Sequence, residues 1–148
     1  MKTFTIDNVS TARGGIRQQE NLTRALGVAY EKHDDGRYNV VSDIECGNRH
    51  ISVKSRHFTL MSSLLCEGET SFDGIWNVFA RNTVSNEFAY VMEHGTKSTV
   101  YSMNLAEFKK FVYAFGKVEK DSAKSGGGYK IRGQRNEKAM AEWFMAMA

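Results

Sequence analysis

The stretch Asn39–Ser55 limits what this chain can fold into more than any other. Gly47-Asn48 at its centre tolerates the positive φ angles of a tight hairpin, and the runs on either side read as two short strands. Pairing across that turn sets Asp43 opposite Ser52, Glu45 opposite His50 and Val41 opposite Lys54. Alternation then gathers Asp43, Glu45, His50, Ser52 and Lys54 on one face and leaves Ile44, Ile51 and Val53 for burial on the other. Two carboxylates and a lysine on one face are the means of holding a hard divalent cation and steadying charge at a phosphorus centre. The same pattern also describes a half-exposed hairpin with ordinary surface charges.

Elements on either side of the hairpin follow from periodicity and capping. Residues 1–12 read as an extended arm, and Arg13-Gly14-Gly15 as the start of a helix reaching about Tyr30. That helix has Ile16, Leu22, Leu26 and Ala29 as its apolar stripe and Arg17, Glu20 and Arg24 as its charged one. Residues 33–37 form a turn, and 56–65 fit neither period. Thr70 or Ser71 caps a helix from about Phe72 to Arg81, with Ile75, Trp76 and Phe79 inward. A second hairpin, 87–92 and 98–103, precedes the plainest helix, capped by Asn104 with Glu107 three residues on and ended by Gly116. A basic loop with a triple glycine leads to a strand at 129–132. A last helix, 136–147, buries Met140, Trp143, Phe144 and Met147. The expectation is one α/β (α+β) domain spanning residues 1–148, with a core at about 14–115 and a basic C-terminal extension at 116–148. Its single central mixed sheet would be flanked by helices.

Length and composition agree with one globular domain: 148 residues, 41% hydrophobic and 25% charged. No apolar run approaches the roughly 18 residues of a membrane span, and the N-terminus lacks the apolar stretch of a signal peptide. A cytoplasmic chain with no membrane partner is expected, and two cysteines fit free thiols in a reducing compartment. The net charge of +3 is mild, but residues 117–138 carry seven Lys or Arg against three acids. Such clustering is a footprint for polyanions and also serves solubility. It marks Lys124, Lys130, Arg132 and Arg135 as candidates for contact with nucleic acid, and His57, three residues after Lys54, is a candidate for touching phosphate near the hairpin. Cys46, His50, His57 and Cys66 lack the paired spacing of a zinc site. Neither a nucleophile elbow nor a Walker sequence is present.

The order of these elements, with Glu20 on the first helix, Asp43 near the end of the first hairpin strand and Ser52-Val53-Lys54 on the second, resembles the PD-(D/E)XK nuclease superfamily, the restriction-endonuclease-like fold. The resemblance covers roughly residues 14–103. It implies a metal-dependent nuclease using Mg²⁺ or Mn²⁺. Asp43 would be the principal ligand, Glu45 or Glu20 the second, and Lys54 would orient water or stabilise charge. Ser52 stands where the family has an acid, and would hold a metal-bound water. Many nucleases of this fold act as homodimers. The departure at Ser52 supports an alternative, a catalytically inactive nuclease-like binding protein of a phage or mobile element. Such a protein would hold nucleic acid or inhibit a nucleic-acid-handling protein partner. A purely structural interaction domain is the third expectation.

Overall fold

Gly47, at φ 60°, makes the turn that the hairpin needs. It joins β2 (Ile44–Cys46) to β3 (Arg49–Ser55), with Ile44 opposite Ile51 and Glu45 opposite His50. That register is the one the turn position predicts. The computed structural model describes residues 1–30, 42–60, 68–120 and 128–148. The expected turn at 33–37, the pairing of Val41, and Cys66 lie outside them.

The remaining elements, in chain order, are β1 (Lys2–Asp7), α1 (Gly14–Leu26), β4 (Thr59–Leu60), α2 (Phe72–Asn82), β5 (Glu87–His94), β6 (Lys97–Met103), α3 (Leu105–Phe115), β7 (Gly116–Lys120), β8 (Tyr129–Gly133) and α4 (Glu137–Met147). They form a mixed α and β fold. The larger sheet has the strand order β1-β6-β5-β3-β2. β3 and β5 run parallel, with α2 in the connection between them, and the other neighbours are antiparallel. Among the described residues no helix is long and apolar enough to cross a membrane.

Both faces of this sheet are covered. Phe88, Tyr90 and Met92 of β5 and Tyr101 and Met103 of β6 pack with α2, α3 and α4 in the main cluster. Its aromatic rings lie close: Phe88 stacks on Phe108 with centroids 4.4 Å apart, and Tyr101 on Phe144 at 3.9 Å. Burying side chains of this size contributes about 2–3 kcal/mol each. The opposite face, with Ile6, Ile44, Ile51, Ala89, Val91 and Val100, is covered by Leu22 and Leu26 of α1.

Helix ends follow local chemistry. Asn104 and Glu107 make a full capping box at the start of α3, with bonds of 2.8 and 2.9 Å. Ser71 caps α2 by accepting from the Gly74 amide. α1 stops at Leu26, because Gly27 turns left-handed at φ 73° and its amide bonds the Arg24 carbonyl, so the helix ends short of Tyr30.

Four other expectations change. The N-terminal arm is an edge strand, β1, paired with β6 from Lys2 to Asp7. In place of one sheet there are two, the second being β4-β8-β7. Its strand β7 escaped notice because charges alternate with so little apolar content in Gly116–Lys120. In α4, Met147 is 37% exposed while Met140 and Phe144 fill the core. In α1, Ile16 is exposed, and the buried positions are Gln18, Asn21, Leu22 and Thr23.

Candidate functional site

Asp43 directly precedes β2, and its side chain extends the hairpin ladder. Oδ2 accepts the Val53 amide at 2.7 Å, a place that a further strand carbonyl would otherwise take. Ser52 and Lys54 lie opposite Phe88 and Tyr90 in the parallel ladder, on the face of the sheet that meets α2 and α3. Lys54 is half-buried. Burial lowers its ammonium pKa below the ordinary lysine value, and the Asp43 carboxylate acts in the other direction. Asp43 and Lys54 are therefore electrostatic neighbours at one end of the hairpin.

The remaining carboxylates are occupied. Glu45 takes the Ser42 amide at 3.0 Å and pairs with the imidazole of His50. Glu20 sits on α1, which covers the Ile51 and Val53 face, and accepts from Ser10 Oγ at 2.6 Å. Its neighbours on α1 turn to Glu93: Arg17 donates at 2.8 Å and Gln18 at 2.7 Å. Among the described residues no three His, Cys, Asp or Glu side chains gather to hold a metal ion. Of the carboxylates that the resemblance implies as ligands, Asp43 and Glu45 lie on the hairpin and Glu20 on α1. The structure brings Asp43 to Lys54 and leaves Glu20 in a separate polar cluster.

Beyond Lys54, β3 runs into a cavity of about 350 Å³ lined by Gly14, Gly15 and residues 53–59. Among the described residues its ionisable lining side chains are Lys54, Arg56 and His57, none of them an acid. The start of α1 borders it. Arg13 at the N-cap makes no side-chain capping bond, and the first turn carries no acid. A helix N-terminus has unpaired amides and a partial positive charge, so this end of α1 adds to the positive potential of three basic side chains. Arg56 is the one non-glycine with positive φ among the described residues, at 53°, and the hydroxyl of Tyr90 donates to its carbonyl at 2.5 Å. Burial raises the Tyr90 phenol well above its ordinary range, which keeps it a donor.

The turn end of the hairpin is braced separately. Asn86 accepts the His50 amide and donates to the Asn48 carbonyl, while Arg49 holds Glu87 through two bonds of 3.0 and 2.8 Å. Hydrogen bonding from Arg49 keeps the Glu87 carboxyl below its usual range.

The C-terminal basic candidates divide. Arg132 on β8 lies beside Thr59 of β4 on one side and Lys117 of β7 on the other. Lys130 is opposite Glu119 in the same ladder. Arg135 pairs with Glu137 at 3.0 Å. Lys124 lies outside the described residues. The sequence reading missed Gly14, Gly15, Arg56, Thr59 and Lys117. The first two looked only like a helix start, and nothing local tells that residue 59 will pair with residue 132. No family model, no curated protein and no solved structure matches this chain.

Proposed function

We propose that this chain engages a backbone phosphate of nucleic acid at the Lys54 corner, as a nuclease-derived binding domain. The observation that carries this reading is the cavity itself. Lys54, Arg56, His57 and an uncapped helix start meet at it, no carboxylate is among its described lining residues, and the Lys54 ammonium is desolvated. Positive charges crowded together are costly; the Asp43 carboxylate offsets Lys54 in part, and a phosphate oxygen would supply further charge and acceptors. Ser52 in the acidic place of the resembled motif and the engaged carboxylates of Glu45 and Glu20 fit a scaffold that holds the phosphate.

A second reading, phosphodiester hydrolysis, is favoured by one observation, the closeness of Asp43 to Lys54. A single experiment separates the two. Labelled single- and double-stranded DNA and RNA are incubated with wild type and Lys54→Ala, with Mg²⁺ or Mn²⁺ and then with EDTA, and both cleavage and retention on the protein are read. The binding reading expects retention that Lys54→Ala weakens, without cleavage. Metal-dependent cleavage lost in the variant would establish the hydrolytic reading in its place. Neither retention nor cleavage of any substrate would end both.

A further inference from the structure

The short strand β4 joins two regions that are far apart in sequence. It follows Arg56 and His57 at the rim of the cavity and pairs with β8, so the small sheet begins where the cavity ends. Within that sheet Ile131 and Val118 face the main core, and Leu60 is buried beside Ile131. Alternation turns Thr59, Arg132 and Lys117 to the other side. These three stand in one row across the strands, Thr59 against Arg132 and Arg132 against Lys117. With neighbouring strands about 4.8 Å apart, the row spans about 10 Å. Lys130 and Glu119 form the next row. Glu119 of that row pairs with Arg132 at 3.8 Å.

We infer that this outer face is a track for the phosphodiester backbone of a single nucleic-acid strand, flanking the phosphate held at the Lys54 corner. The inference rests on the nucleic-acid reading above. Charge complementarity names the partner: a basic row continuous with a basic cavity matches a polyanion better than it matches a mixed protein surface. A single strand is favoured over a duplex because the face is a short three-stranded sheet. No aromatic ring lies in the Thr59–Arg132–Lys117 row, so contact is with the backbone and sequence preference is weak.

The test is salt dependence. Affinity for a labelled single-stranded oligonucleotide is measured over a range of NaCl for wild type, for the double variant Lys117→Gln/Arg132→Gln, and for Arg24→Gln. Arg24 is a control on α1, lining a different cavity with Asp7 and Lys97. Each lost phosphate contact lowers the slope of log K against log salt by about 0.7 on a single strand, so the double variant is expected to lose about 1.4. Arg24→Gln should keep the wild-type slope. Retained binding with an unchanged slope in the double variant would overturn the track and leave the Lys54 corner standing. Tighter binding of a duplex than of the single strand would overturn it too. No binding by wild type would remove both the track and the reading beneath it.

Discussion

Lys54 is the residue at which stability and function pull apart. The folded protein holds its proton less tightly than the unfolded chain does, because burial penalises the ammonium. Below the folded pKa both states are protonated and the full cost of burying the charge is present. Between that value and the ordinary 10.5 the unfolded chain binds more protons, so wild-type stability rises with pH through this window. Lys54→Met should therefore be more stable than wild type at neutral pH, with the gap closing as pH approaches 10.5. Urea midpoints measured across the pH range check this. A variant less stable than wild type at neutral pH would show that Lys54 holds the fold together. On the proposed phosphate-binding reading, the same substitution should weaken oligonucleotide retention, the usual exchange between stability and function. Asp43 and Lys54 could be picked out in the sequence because a two-residue turn fixes which strand positions face each other. Arg56 could not: its φ is left-handed, and its carbonyl accepts from Tyr90, a residue far along the chain.

At the scale of elements, the joint between β4 and β8 depends on a glycine. The Gly133 amide donates to the Phe58 carbonyl at 2.6 Å, and a Cβ at residue 133 would meet the Phe58 ring at 2.1 Å. Phe58 is buried among Phe108 and Phe111 and has nowhere to retreat. Gly133→Ala should thus cost about 1–3 kcal/mol, the usual range for overpacking. On the proposed backbone track it should also reduce oligonucleotide binding, because β8 carries Arg132. A urea midpoint indistinguishable from wild type would mean that the ring and strand shift together. Local chemistry made α2, α3 and α4 plain in the sequence: each has a capping side chain, Ser71, Asn104 or Asn136, ahead of an apolar stripe. β4 and β7 were not, since two residues and a charged run carry no period. α1 misled because its buried side is largely polar, with Asn21 taking the amides of Val9 and Ser10 at 2.9 and 2.8 Å.

At the scale of the whole molecule, the two sheets share one apolar cluster: Leu60 and Ile131 of the small sheet pack with Phe88 and Tyr90 of the large one. Trp76 on α2 belongs to that cluster and Trp143 on α4 packs against it. Unfolding followed by tryptophan fluorescence and by far-ultraviolet circular dichroism should therefore give superimposable curves in urea. Two separated transitions would indicate that the C-terminal sheet and α4 unfold as a unit of their own.

The pairing of β1 with β6 bears on the chain's birth. Lys2 lies against Ser102 and Asp7 against Lys97, so β1 has no strand partner until about a hundred further residues have been made. At ~5–20 residues per second that wait is on the order of 5–20 seconds. During it Phe4 and Ile6 are uncovered, and they are later packed against or buried within the α1 side of the sheet. A newly made chain therefore passes through an interval in which the edge of β1 is open to holding chaperones or to a neighbouring nascent chain.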